Sequence, residues 1–120
     1  MGLFSKSSTN FSWIHLTSED QLNELMQQSS VKPLLLFKHS TRCNISAMVI
    51  SRFERDAGTL VEKCACVYLD LIAYRSISNK IEELTGVYHQ SPQAILIKNN
   101  EVVYDASHGA IDALQIESLV

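Results

Sequence analysis

Cys43 is the residue in this chain whose surroundings best suit covalent chemistry. It follows an apolar run at residues 34–37 and a polar stretch at 38–42, and it precedes a segment of helical periodicity that begins at Asn44. A cysteine carried by a strand to the start of a helix meets free backbone N–H groups and the positive end of the helix dipole. Both stabilise a thiolate, the nucleophilic form of cysteine, so this position predicts a reactive thiol.

The length of 120 residues fits one compact domain. We expect residues 1–10, which are mostly small and polar, to form a flexible segment, and residues 11–120 to form a single domain. A formal net charge of −3 argues against nucleic acid or a membrane surface as a partner, because such binders normally carry a basic patch. The sequence has no signal-peptide core and no apolar run near the roughly 20 residues that span a bilayer, so we expect a cytoplasmic protein.

Periodicity and turn residues predict the order of the secondary structure. Extended segments are expected at 12–16, 34–37 and 64–70, and residues 93–98 and 101–105 flank Asn99-Asn100 as a hairpin. Helices are expected after the capping sequence at 17–20, from Asn44 to near Gly58, before Gly86, and at 109–120. The side chains expected on the apolar sides of the second and third helices are Ile45, Met48, Val49 and Phe53, and Ile77, Ile81 and Leu84.

The resulting order, β-α-β-α-β-α-β-β-α, indicates the α/β class. Early alternation of strands and helices favours parallel strands with right-handed crossovers, and the terminal hairpin adds an antiparallel pair. A mixed central sheet with helices on both faces follows, and at this length the order is that of a thioredoxin-like fold. Fold alone does not carry function, which must come from the site.

Two segments carry a closer resemblance. Cys43-Asn44-Ile45-Ser46 resembles the thioredoxin C-x-x-C motif with serine as its last residue, and Pro92 matches the proline that is cis in that fold and faces the active cysteine. The stretch from His39 to Met48 is similar to the H-S-T-R-C-P-I-S motif of the YtxJ family, small monothiol bacilliredoxins of the bacillithiol system. Residues 87–93 resemble that family's H-x-S-P-Q segment, and the resemblance extends from about Trp13 to the C-terminus.

The resemblance implies a monothiol oxidoreductase with Cys43 as its catalytic residue. Its thiolate would take bacillithiol from mixed disulfides on client proteins, with bacillithiol as thiol co-substrate, no bound cofactor, and a monomer or weak dimer as the working form. Because Ser46 stands where a resolving thiol would be, Cys43 cannot close a local disulfide and must be freed by an external thiol or reductase. Phe37 occupies the position of the buried acid of dithiol thioredoxins, which a chain without a resolving thiol does not need.

Residues near Cys43 have both functional and structural interpretations. Ser46 would either donate a hydrogen bond to the sulfur or fill space, and Arg42, beside Thr41, would contact a thiolate or a bacillithiol carboxylate unless it is only an exposed loop residue. Asn44 replaces the proline usual in the family and restores a backbone N–H donor that could reach the sulfur or a ligand. His39 would tune the thiol or serve a structural purpose.

The substrate groove is expected at Ser91 and Pro92, where a cis peptide bond would expose the Ser91 backbone to a peptide-like ligand. The alternative for Pro92 is an ordinary trans proline at the start of an edge strand. Cys64 and Cys66 share one face of a strand, as small core residues or, after a rearrangement, as resolving thiols. Three cysteines at this spacing and scattered histidines indicate neither a disulfide framework nor a metal site.

A different class of function is a thioredoxin-like binding module that holds an extended partner segment without turnover. A third is a stress sensor in which Cys43 is oxidised to sulfenic acid.

Overall fold

The computed structural model describes residues 11–120, and the segment 1–10, predicted to be flexible, lies outside the described residues. The strands and helices of the described chain, in order, are β1 (Ile14–His15), α1 (Glu19–Gln28), β2 (Leu34–His39), α2 (Asn44–Asp56), α3 (Leu60–Lys63), β3 (Ala65–Asp70), α4 (Arg75–Thr85), β4 (Gln93–Lys98), β5 (Glu101–Ser107) and α5 (Ala113–Leu119). A single 3₁₀ turn, His108–Ala110, connects β5 to α5. Within residues 11–120, no helix combines the length and apolarity that a bilayer crossing demands.

The strands form one mixed five-stranded sheet in the order β1-β3-β2-β4-β5. β2 lies parallel to β3 and antiparallel to β4, so the strand that leads to Cys43 is the centre of the sheet. One core cluster contains Leu35 and Phe37 with residues of α2 and α5, and the other contains Leu34 and Leu36 with residues of α1 and α4. The predicted mixed sheet with helices on both faces is therefore confirmed.

Local signals placed several helix ends and turns correctly. Ser18 caps α1 and its side chain accepts a hydrogen bond from the Gln21 backbone N–H. Gly86 ends α4 in the left-handed conformation, with φ of 73°, which its missing Cβ permits. Asn99 and Asn100 both have positive φ, 54° and 64°, as a tight hairpin turn requires.

The side of α2 that faces the core differs from the prediction. Ile45 and Met48 are 61% and 72% exposed. The buried residues of the helix are Ser46, Val49, Ile50 and Phe53, which have the i, i+3, i+4, i+7 spacing of one helix face. The predicted apolar side was wrong for Ile45 and Met48 because packing against β2 selected a neighbouring arc of the helix.

Other predicted boundaries need smaller corrections. β2 continues two residues beyond the apolar run, through Lys38 and His39, because β3 and β4 pair with it on both sides. Leu84 is 42% exposed, so only Ile77 and Ile81 carry the apolar side of α4 into the core. The strand at 12–16 is shorter than predicted, α3 was not predicted, and the last helix starts after Asp112, whose side chain caps it.

Candidate active site

Cys43 is the residue that immediately precedes α2 and occupies its N-cap position. Its backbone is extended, with φ of −108° and ψ of 119°, and its carbonyl accepts the N–H of Ala47 at 3.0 Å. Its own N–H donates to the Ser40 carbonyl at 3.1 Å, which closes the turn between β2 and α2. The side chain is half-buried, unoxidised and makes no capping hydrogen bond. The thiol thus belongs to a partly exposed residue at the positive end of a helix of 13 residues.

Ser46 lies one turn into α2 and is fully buried. Its Oγ lies 2.7 Å from His39 Nδ1 and accepts the backbone N–H of Ser40 at 3.2 Å. Burial lowers the pKa of His39, against a smaller raising effect of Asp70, so the neutral ring is favoured. Among residues 11–120, the Ser46 hydroxyl therefore has His39 and Ser40 as partners and makes no hydrogen bond to the Cys43 sulfur.

This contact connects the end of β2 to the first turn of α2. His39 is the last residue of β2, it is 7% exposed, and its ring packs on that of Tyr68 with centroids 5.5 Å apart. The turn that carries Cys43 lies between His39 and Ser46, so both ends of the turn are held by one side-chain pair. The arrangement explains how a buried serine and histidine on either side of the turn position the thiol.

Pro92 lies at the end of the sheet where β2 leads into the Cys43 turn. The peptide bond between Ser91 and Pro92 is cis, as predicted. Gln93, the first residue of β4, pairs with Lys38 near the end of β2, so the cis bond lies beside the turn that leads to Cys43. The Pro92 carbonyl accepts the His108 N–H at 2.9 Å, whereas the Ser91 backbone has no hydrogen-bond partner among residues 11–120. The Ser91 Oγ is buried and likewise unpartnered within that range.

A cluster of polar side chains holds the segment before Pro92, and sequence reasoning missed it. Lys38 is fully buried, and its Nζ lies 3.3 Å from His89 Nδ1. Ser78 Oγ of α4 lies 3.1 Å from the same ring nitrogen, and the backbone N–H of His89 donates to a Glu82 carboxylate oxygen at 3.2 Å. The signal available in the sequence was His89 in the H-x-S-P-Q segment, but nothing near it in the chain pointed to Lys38.

The charge states in this cluster follow from burial. Burial lowers the pKa of Lys38 to about 8, although Glu82 acts in the opposite direction. Burial also lowers the pKa of His89, and the nearby charges of Lys38 and Arg75 lower it further, against a raising effect of Glu82. Near neutral pH the ammonium of Lys38 therefore donates to a neutral imidazole.

The remaining predicted site residues lie on the surface around the thiol. Thr41, Arg42 and Asn44 are exposed, and their side chains make no hydrogen bond within residues 11–120. Ile45 and Met48 extend this surface along α2.

Cys64 and Cys66 lie apart from the active-site turn. Both are buried, with their sulfur atoms 3.7 Å apart. Their mutual hydrogen bond and burial raise the pKa of Cys66, which keeps it a thiol. Cys66 pairs with Leu35 on β2, and at about 3.3 Å per residue this places it roughly 13 Å along the sheet from His39. Cys66 thus lies well away, along β3, from the end of the sheet where the turn to Cys43 begins, whereas a disulfide needs Cα atoms within about 7 Å of each other. Among residues 11–120, no three His, Cys, Asp or Glu side chains are grouped to hold a metal ion.

Comparisons with known proteins bear on the family and the fold of this chain. A family model described as monothiol bacilliredoxin BrxC matches residues 14–116. A solved structure described as a candidate oxidoreductase with a thioredoxin fold is 30% identical, with a TM-score of 0.75, and the alignment covers 88% of this chain and 90% of that one. Thioredoxin Mala s 13 of Malassezia sympodialis is 17% identical with a TM-score of 0.68, and covers 90% of this chain and 87% of its own. Oxidised mitochondrial thioredoxin 3 of Saccharomyces cerevisiae is 15% identical with a TM-score of 0.67, and the alignment covers 90% of this chain and 92% of that one. These last two establish the shared fold.

Proposed function

Starting from the fact that this chain belongs to the monothiol bacilliredoxin family, we propose that it removes bacillithiol from mixed disulfides on client proteins through Cys43. Family and fold together make it a thiol redox protein with a thioredoxin-like fold. The observation that carries the finer proposal is the placement of one half-buried thiol at the start of α2, remote from the two buried cysteines.

The exchange proceeds in two steps, and each step is a thiol–disulfide exchange. The Cys43 thiolate attacks the bacillithiol sulfur of a client mixed disulfide, a new S–S bond joins Cys43 to bacillithiol, and the client leaves as a thiolate that takes a proton. The thiolate of a second bacillithiol, or of a partner reductase, then attacks the bacillithiol sulfur on Cys43. That step releases Cys43 as thiolate, and with bacillithiol as the attacking thiol it yields bacillithiol disulfide. Each step breaks one disulfide and forms one, so no external electron acceptor is needed.

The substrate enters between the Cys43 turn and the cis peptide bond. The Ser91 N–H and carbonyl, which have no partner within residues 11–120, are suited to pair with the backbone of a client or with the amide of bacillithiol. Pro92 is buried beneath them and keeps that edge in place. Thr41 and Asn44 flank the sulfur on the surface, and Arg42 offers a guanidinium to a bacillithiol carboxylate.

Ser46 has a positioning role in this proposal. Its hydroxyl bonds His39 and Ser40, so it stabilises the turn that presents the thiol and supplies no second sulfur. The mixed disulfide on Cys43 therefore persists until an external thiol arrives. We expect this cycle to run in the cytoplasm, where small thiols keep Cys64 and Cys66 reduced, and to need one protomer or a weak dimer.

The test is to incubate the protein with bacillithiol disulfide and weigh the intact product. We expect one bacillithiol adduct, absent from Cys43→Ser and retained by Cys64→Ser as the matched control. A peptide that carries a bacillithiol mixed disulfide then tests turnover with free bacillithiol as reductant. An adduct that survives Cys43→Ser would contradict the site, and binding of the peptide without release of its thiol would favour a binding module.

A further inference from the structure

Lys38 is a buried charge that the thiol exchange itself does not use. It lies on the central strand and points to the face covered by α1 and α4, where Leu34 and Leu36 of the same strand belong to the apolar core. α2, which begins directly after Cys43, packs on the opposite face. The three ion pairs found within residues 11–120 do not include Lys38, so no carboxylate there lies within 4.0 Å of its ammonium.

An apolar side chain would pack at this position more favourably than an ammonium without an ion-pair partner. Buried cations lose their hydration and recover it only through charged partners and several hydrogen bonds. Within residues 11–120, the ammonium of Lys38 makes one hydrogen bond, to the neutral ring of His89, and Glu82 lies farther away. Stability alone therefore does not account for a lysine here, and its contact with His89 is the feature that sets it apart from Leu34 and Leu36.

The contact holds the segment that leads to Pro92. Lys38 and Gln93 are direct partners in the antiparallel pair of β2 and β4, so their side chains lie on the same face. Gln93 Nε2 donates to the Tyr88 carbonyl at 2.9 Å, and its Oε1 accepts the Gln90 N–H at 3.4 Å. Lys38 contacts the ring of His89 between them. Lys38 and Gln93, a cross-strand pair, thus bind three successive residues, 88–90, of the loop at 87–91.

We propose that Lys38 is a positioning residue for thiol exchange, which acts through His89 to hold the loop at 87–91 and so sets the width of the substrate groove at Ser91 and Pro92. The inference rests on the proposed function and deepens it. Gln93 of β4 holds Tyr88 and Gln90 on either side of His89. α4 holds His89 itself, because Glu82 accepts its backbone N–H and Ser78 contacts its ring. Within residues 11–120, Lys38 supplies the hydrogen bond that ties the His89 ring to β2, so its loss would let His89 move away from the central strand and loosen the loop around it.

This role predicts an effect on substrate binding and not on the thiol. In Lys38→Met, the KM for a peptide mixed disulfide of bacillithiol should rise about fivefold or more, while kcat stays within about twofold. The rate at which iodoacetamide alkylates Cys43 should stay within about twofold, because Lys38 lies on the other face of the sheet. His89→Leu removes the same contact together with that of Ser78, so it should raise the KM at least as much, and the double variant should lose no more than His89→Leu alone. Lys98→Met, at an exposed lysine of β4, is the matched control and should change nothing.

Amide hydrogen exchange separates this inference from the proposed function. Exchange at residues 87–91 should accelerate about tenfold or more in Lys38→Met, while exchange in β3, which reports global unfolding, should not accelerate. A wild-type protein inactive on the bacillithiol peptide would refute the proposed function, and the exchange data would still decide whether Lys38 holds the loop. Unchanged exchange, an unchanged KM, or alkylation that slows in step with turnover would each overturn the positioning role.

Discussion

Replacement of Lys38 by methionine should make the protein more stable at neutral pH. Methionine has a similar length and is apolar, and it would join Leu34 and Leu36 in the core on the same face of β2. The ammonium is fully buried, and burial lowers the pKa of Lys38 from 10.5 to about 8. At 1.36 kcal/mol per pKa unit, this shift means that the charged lysine destabilises the folded state by about 3 kcal/mol at pH 7.

The substitution also removes a favourable contact. His89 Nδ1 loses the Lys38 donor and keeps Ser78 Oγ, a loss of about 1 kcal/mol for one hydrogen bond. The net expectation is a gain of about 2 kcal/mol in the free energy of unfolding at pH 7. Urea unfolding followed by the fluorescence of Trp13, the one tryptophan of the chain, measures it directly.

The pH dependence gives a sharper test. Because the pKa of Lys38 is lower in the folded state than in the unfolded state, the unfolded chain binds more protons between about pH 8 and 10.5. The penalty of the buried charge is complete below about pH 8, decreases as the pH rises through this window, and is absent above it. The advantage of Lys38→Met should therefore shrink from pH 7 to pH 10, and Lys98→Met should show no such trend. A variant that is less stable than wild type at pH 7, or an advantage independent of pH, would refute the reasoning.

Three further outcomes follow from the same structure. Ser46→Ala leaves His39 Nδ1 and the Ser40 N–H without their buried partner, so it should lower the free energy of unfolding by about 2 kcal/mol and slow turnover by loosening the Cys43 turn. A urea titration that finds the variant as stable as wild type would contradict this. Burial lowers the pKa of His39 below its ordinary value, so the stability that the neutral ring contributes is present above about pH 6.5 and lost as the pH falls through the lowered pKa. His39→Gln should therefore flatten the acid side of the plot of unfolding free energy against pH, and a plot as steep as that of wild type would contradict this explanation. Iodoacetamide should add one label to the native protein, at Cys43, and three after unfolding in urea, because Cys64 and Cys66 are buried; mass spectra with two or three labels on native protein would show that the core thiols are accessible.

Much of the architecture could be predicted because local patterns determine it. Ser18, Gly86 and Asn99-Asn100 act within a few residues of themselves, and each ended or began an element where expected. The cis bond at Pro92 and the position of Cys43 before α2 were also predicted, from the motif resemblance and from the change in periodicity. Their functional roles remain predictions that the experiments above test.

Contacts between distant segments could not be predicted in the same way. Lys38 and His89 are 51 residues apart, and their contact depends on the pairing of β2 with β4. The periodicity of α2 is compatible with two neighbouring apolar arcs, and only docking on β2 decided that Ser46 would be buried while Met48 stayed exposed. Ser46 consequently faces His39, which spacing along the chain did not indicate.

The sequence by itself determined the class of the protein, the order of its elements apart from the short α3, and the single cysteine at a helix start, because turns, caps and periodicity are local properties of the chain. The tertiary structure decided which polar groups meet out of water. Burial of Lys38, His39 and Ser46 depends on which strands pair and which helix face docks, and these depend on free energies summed over contacts between remote residues.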